Sequence, residues 1–106
     1  MNSKMDDILA EIVRRIVDST HPKKIILFGS AARGEMGTDS DLDLLIVIPS
    51  GRHRRKTAQA IYRNLIGVGY AADIIVVTED DIEQFRDHIG MVIRPALKEG
   101  KVLYAS

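Results

Sequence analysis

Two aspartates separated by a single residue, Asp41 and Asp43, stand at the head of an apolar run, SDLDLLIVI. Side chains alternate along an extended chain, so in a strand both carboxylates project from one face, with their backbones roughly 7 Å apart. Leu42 and Leu44 then turn the other way, into a core. Two carboxylates on one face repel unless a cation lies between them. A pair of Mg2+ ions suits that place, because Mg2+ takes carboxylate oxygens together with substrate phosphates. A third acid, Asp73, opens another apolar run, ADIIVV, and Gly29-Ser30 closes an earlier one, KIILF. A glycine directly after a strand lets the backbone approach a ligand closely. A serine opening a helical turn offers a hydroxyl beside free N–H groups, an arrangement that binds phosphate. Arg33, one turn further on, can grip phosphate oxygens with two parallel hydrogen bonds. Acids, metals and a phosphate cradle together describe phosphoryl or nucleotidyl transfer by two-metal chemistry.

The elements that must position these groups follow from periodicity. Met5, Ile8, Leu9, Ile12, Val13, Ile16 and Val17 recur at spacings of three and four, which predicts an amphipathic helix over residues 3–18. Ser3 suits its N-cap and Asp6 and Asp7 the positive end of its dipole. His21-Pro22 should end it, because the residue before proline avoids helical geometry. Residues 24–28 and 42–48 read as strands, separated by a short turn at residues 30–33 and the loop GEMGTDS. A second helix is expected over residues 57–65, with Ala58, Ile61, Leu65 and Ile66 on one side, and a third strand over 72–77. Thr78 and Asp81 resemble a capping box that starts a helix reaching about residue 88. A further helix over residues 91–98 tolerates Pro95 only in or near its first turn, and Val102-Leu103-Tyr104 suggests a last short strand.

This alternation predicts an α+β (α/β) chain: a small mixed sheet with helices packed on it, in one domain over residues 1–106. The helix between the second and third strands makes that pair parallel, through a right-handed crossover. The first two have only a loop and a turn between them, which makes them antiparallel. The antiparallel first strand then ends where the other two begin, so Gly29-Ser30, Asp41, Asp43 and Asp73 should meet at one rim of the sheet.

The bulk composition of the 106 residues fits that reading: 45% are apolar and 28% charged, ordinary globular values. With only two Phe, three Tyr and no Trp, the core must be aliphatic. No cysteine is present, which excludes disulfides and thiolate chemistry. Fifteen basic residues balance fifteen acidic ones, whereas a protein that coats nucleic acid is normally basic. No apolar run approaches the roughly 20 residues that span a bilayer, and the N-terminal residues mix acids and bases. A cytoplasmic protein is the expectation.

The segment GSAARGEMGTDSDLDLLIV resembles the signature of the DNA polymerase β-type nucleotidyltransferase superfamily, in which a Gly-Ser pair is followed ten residues on by Asp-x-Asp. Gly29-Ser30, the intervening residues Ala31 to Ser40, and Asp41-Leu42-Asp43 fit that spacing without gaps. In size, in the Ala-Arg-Gly and Ser-Asp surroundings and in the ending EGKVLY, the chain is similar to the minimal nucleotidyltransferase (MNT) domain. The resemblance implies the polymerase β-like nucleotidyltransferase fold. It also implies two Mg2+ held by Asp41 and Asp43, with Asp73 completing the metal site or acting as base for the acceptor hydroxyl. Ser30 and the Gly29 backbone would hold the triphosphate of ATP. Many MNT proteins are antitoxins paired with a HEPN-domain toxin, and some adenylylate that toxin on tyrosine. The resemblance therefore implies a hetero-oligomer with a HEPN partner and transfer to a protein hydroxyl. Transfer to a small hydroxylated molecule and a non-catalytic module that covers a toxin are the alternatives.

Other polar groups have structural readings. Asp39 suits a turn, and Asp80 and Asp81 suit a helix N-terminus, where acids complement the dipole. His21, His53 and His88 have no metal-ligand spacing. The run Gly51-Arg52-His53-Arg54-Arg55-Lys56 puts cations at a helix start, and the second strand climbs about 17 Å between it and Asp43. It should lie at the far edge of the sheet from the acids, as a solvated loop or as a contact for a partner or RNA.

Overall fold

A computed structural model describes residues 3–29, 42–85 and 100–106. Its elements run α1 (Ser3–Thr20), β1 (Lys24–Phe28), β2 (Leu42–Ile48), α2 (Arg54–Asn64), β3 (Ala72–Thr78), α3 (Glu79–Phe85) and β4 (Lys101–Ala105). The strands form one sheet in the order β3-β2-β1-β4. β2 pairs antiparallel with β1 and parallel with β3, as the sequence predicted. The expected turn at residues 30–33, the helix over 91–98 and His88 lie outside the described residues.

Alternation along the strands sorts the aliphatic residues onto two faces. Leu42, Leu44, Ile46 and Ile48 of β2 join Ile25, Leu27 and Ile74 against Ile12 and Ile16 of α1 and Ile61 and Leu65 of α2. Ile26, Leu45, Val47 and Val77 form a smaller cluster on the opposite face, where Ile82 of α3 packs. β2 is therefore covered on both sides, and every one of its residues except Asp43 is buried. Each fully buried Leu, Ile or Val contributes about 1.5–3 kcal/mol relative to exposure.

The ends of the helices depart from the sequence expectation in instructive ways. α1 runs two residues past the predicted end, and His21 stops it in left-handed geometry (φ 48°), with its N–H donating to Val17 O at 3.0 Å. That is the αL cap normally given to glycine, so the pre-proline residue leaves the helix by the left-handed region and not by the extended one. α2 starts three residues before the predicted position, because His53 caps it: Nδ1 accepts the Lys56 N–H at 3.2 Å. Ile61 and Leu65 are buried as expected, but Ile66 is 76% exposed, because the helix ends at Asn64 and the chain turns away. Arg15 of α1 fastens that end, donating to Asn64 O and Ile66 O at 3.2 and 3.0 Å.

Both edges of the sheet are modified. β4 carries a register shift that leaves Leu103 unpaired between Val102 and Tyr104, so that Leu103 and Tyr104 both reach the α1 face. On β3, two N–H groups turned away from β2 are taken by side chains. Ile74 donates to Tyr62 Oη at 3.0 Å, and Thr78 donates to Asp81 Oδ2 at 2.9 Å. Such caps hinder pairing with another chain.

The Thr78–Asp81 capping box is complete, since Thr78 Oγ1 accepts the Asp81 N–H at 3.1 Å, and Arg54 of α2 adds an ion pair at 3.0 Å. Burial opposes the charge on Asp81, but the Thr78 N–H, followed by Arg54, outweighs it and holds the carboxyl below its ordinary 3.8. A depressed carboxyl stabilises the fold above its unfolded value, and that stability is lost as pH falls through the folded value. Asp81→Asn is expected to cost about 1 kcal/mol at neutral pH and to flatten the loss of stability below 3.8. Urea unfolding of both proteins at neutral pH and near pH 3 checks this; equal losses on acidification would refute it.

Candidate active site

Three strands bring candidate site residues to one rim. Phe28 of β1 is the register partner of Asp43, and Asp43 is the register partner of Asp73. Neighbouring strands lie about 4.8 Å apart, so the backbones of the two aspartates are one interstrand spacing from each other. Their direction follows from their neighbours. Leu42, Leu44 and Ile74 are packed on the helical face and Ala72 borders it, so Asp43 and Asp73 stand on the opposite face, in line with Leu45 and Ile75. Asp43 is half-buried and Asp73 exposed. Two carboxylates in line on one face offer oxygen donors of the kind that hold a hard cation.

Gly29 follows Phe28 and turns with φ 74°. A Cβ at this position would overlap Asp43 Oδ2. The backbone thus passes directly over the carboxylate, in a conformation that L side chains avoid. This is the close approach anticipated for a glycine after a strand, although what it touches is the acid itself.

Of the residues singled out in the sequence, Gly29, Asp43 and Asp73 are brought together. Ser30, Arg33, Asp39 and Asp41 lie outside the described residues. Among the described residues no group of three acids or histidines is spaced to hold a metal; Asp43 and Asp73 are the pair that remains when Asp41 is outside. Sequence reasoning missed Tyr62, whose hydroxyl sits on the amide immediately after Asp73. Its place beside the buried Ile61 carries no periodic signal of that contact.

The basic run lies at the other end of β2, as its distance from Asp43 along the strand demands. Arg52 reaches His21 O at 3.5 Å and Arg54 pairs with Asp81 beyond the end of β3. A concavity of about 390 Å3 there is lined by Arg52, His53, Arg54 and Arg55. Among the described residues, the most perturbed carboxyl belongs to neither end. Hydrogen bonds from Arg14 and then Arg15 draw Glu11 down to about 2, within a surface ion-pair cluster on α1. A strong shift here marks structure and not chemistry.

With this geometry in view, residues 7–103 match the family model of the nucleotidyltransferase domain. Over 83 residues the chain is 39% identical to the putative protein adenylyltransferase MJ0604 of Methanocaldococcus jannaschii, covering 77% of this chain and 78% of that one. The chain belongs to the nucleotidyltransferase domain family. Its fold is similar to that of a putative nucleotidyltransferase from Sulfolobus solfataricus, with a TM-score of 0.61 at 23% identity over 92% of this chain and 78% of the other. It is also similar to a chain in a toxin-antitoxin structure with AMP-PNP, with a TM-score of 0.59 at 20% identity over 92% and 73% of the two chains. Among the described residues no helix is long and apolar enough to cross a membrane.

Gly29→Ala is expected to destabilise the protein by at least about 1–2 kcal/mol from the left-handed backbone alone, and to displace the Asp43 carboxylate. Thermal unfolding together with nucleotide titration of the variant checks both effects. Unchanged stability and affinity would show that the overlap is relieved without cost.

Proposed function

We propose that this chain is an Mg2+-dependent adenylyltransferase that moves the adenylyl group of ATP onto a hydroxyl of a protein partner. The observation that carries the reading is the row Asp43–Asp73 on one face of a parallel pair, with the Gly29 backbone turned over Asp43. Two acids one interstrand spacing apart on one face offer hard oxygen donors. That donor set fits Mg2+, which is usually bound by one or two carboxylates together with substrate phosphates. Asp43, Asp73 and Asp41 would hold the ions, which when bound would polarise the transferred phosphoryl group and stabilise the departing pyrophosphate.

The remaining roles belong to the chain's own groups. Asp43, half-buried in the central strand, is the fixed ligand, because neither β2 nor the overlying glycine leaves it room to move. Asp73 is exposed on an edge strand, on the side from which an acceptor can approach, and suits taking the proton of the attacking hydroxyl. Gly29, Ser30 and Arg33 hold the triphosphate, the first two through backbone and hydroxyl and the third through its guanidinium.

A protein acceptor is supported by the relative's designation as a protein adenylyltransferase, and a toxin partner by the structural neighbour from a toxin-antitoxin complex. We assign the partner to the HEPN-domain toxins. The whole of residues 1–106 acts as one catalytic domain, in the cytoplasm, within a hetero-oligomer that the partner completes.

The protein is incubated with Mg2+, α-labelled ATP and a candidate HEPN-domain toxin. Label is expected on the toxin, and none when the metal is chelated. Asp41→Ala and Asp43→Ala are expected to abolish transfer, and Asp73→Asn to slow it by about 100-fold or more if it acts as the base. A toxin that binds tightly yet never acquires label would replace this reading with that of a non-catalytic covering module.

A further inference from the structure

Asp43 and Asp73 share a row, but the fold holds them unequally. β2 is paired on both sides, and the Gly29 backbone passes over the Asp43 carboxylate. β3 is an edge strand paired with β2 alone, and Asp73 is its second residue. The chain enters β3 from a connection that turns through Gly67 and Gly69 with φ 86° and 87°. Its ladder starts close by, where the Leu42 N–H donates to Ala71 O at 3.1 Å. Fraying ends are among the parts of a fold that open most easily. A side chain of α2 anchors the outer side of this strand end. The Ile74 N–H points away from β2 and donates to Tyr62 Oη at 3.0 Å. That nitrogen is bonded to the carbonyl carbon of Asp73, so the hydrogen bond ties the backbone at Asp73 to the helix. The helix is in turn fixed to the core through the neighbouring Ile61, which is fully buried. The phenol stays on the helical side of the sheet, away from the carboxylates. What it fixes is the backbone that carries one of them.

We propose that Tyr62 is a positioning residue: through the Ile74 amide, its hydroxyl holds Asp73 where it can take the proton of the acceptor hydroxyl. The inference rests on the adenylyltransferase reading, in which Asp73 is the base, and adds the group that sets where that base stands. Tyr62 itself touches neither substrate nor metal. Removing its hydroxyl leaves the Ile74 amide to water, which satisfies the donor nearly as well but does not tie it to α2. The loss is therefore one of geometry, and a misplacement of about 1 Å can slow a reaction by up to about 100-fold. The other end of β3 supplies a control. There the Thr78 N–H donates to Asp81 Oδ2 at 2.9 Å, about 13 Å further along the strand. That cap bears on stability and not on the place of Asp73.

The test uses the full chain with Mg2+, α-labelled ATP and the candidate HEPN-domain toxin. Tyr62→Phe, which keeps the ring, is expected to lower kcat about tenfold while KM for ATP stays within about twofold. Asp81→Asn should keep the parental kcat although it unfolds more easily. In an Asp73→Asn background, Tyr62→Phe should cost nothing further, because the group it positions is gone; a second tenfold loss there, on the order of the first, overturns the proposal. Two nuclear magnetic resonance measurements need neither metal nor nucleotide. The Ile74 amide should exchange slowly with solvent in the parent and faster in Tyr62→Phe. The Asp73 carboxyl carbon should shift in Tyr62→Phe and not in Asp81→Asn. An Ile74 amide that exchanges freely in the parent, or an unmoved Asp73 resonance, overturns the proposal whatever the variants' activity. If the parent labels the toxin and Tyr62→Phe does so at the parental rate, only this inference falls. If the parent never labels it, the adenylyltransferase reading falls, and the role of Tyr62 with it.

Discussion

The parallel pairing of β2 with β3 is the constraint on which the rest depends. Register sets which residues face each other, and a slip of one position would turn every side chain of β3 to the other face. Here the register is held by aliphatic residues on both sides. Ile74 and Val77 are buried on opposite faces, so any slip exposes one set and buries Asp73. The acids are therefore held in line by hydrophobic burial elsewhere along the same two strands. Each buried side chain contributes about 1.5–3 kcal/mol, and there are many of them. The core determines the register, and with it the place of the two aspartates.

The crossover helix serves the same end. α2 connects the far end of β2 to the near end of β3, and its packing on the sheet through Ile61 and the C-cap Leu65 fixes where β3 begins. Arg15 holds the helix C-terminus through two carbonyls, leaving a short connection before Asp73. The two helix starts at the far end, α2 and α3, share the Arg54–Asp81 pair. The basic run is thereby partly engaged with the fold's own acids, and Glu79 and Asp80 lie close by. That mixed charge argues against treating the far end as a simple polyanion surface.

Much of this was legible in the sequence, for identifiable reasons. Residues 24–28 and 42–48 are strands with the predicted bounds, because short β-branched runs between turn residues leave little choice. The antiparallel and parallel pairings follow from what the sequence puts between the strands, a loop and a turn in one case and a helix in the other, and with them the meeting of Gly29, Asp43 and Asp73. What could not be read lay in single side-chain contacts. His53 as an N-cap replaces the usual Ser, Thr, Asp or Asn, so the start of α2 fell three residues late. Ile66 looked like a continuation of an apolar face, but a helix end depends on where carbonyls find partners, and Arg15 lies far away in sequence. Tyr62 on Ile74 is likewise a contact between an unremarkable helical position and a strand edge. Ser30, Arg33 and Asp41 rest on motif spacing alone.

The shifted register of β4 has a consequence for how the molecule opens. This strand joins residues 101–105 to residues 24–27 and lies at the edge of the sheet; closing so long an intervening stretch carries the largest loop entropy of any pairing here. One skipped residue weakens the ladder, and Val102 is 53% exposed. Among the strands, β4 is the one whose detachment costs least, and its amides should exchange with solvent ahead of those of β2. Because it borders β1 and not β3, it can come away as a separate cooperative unit while the aspartates stay in register.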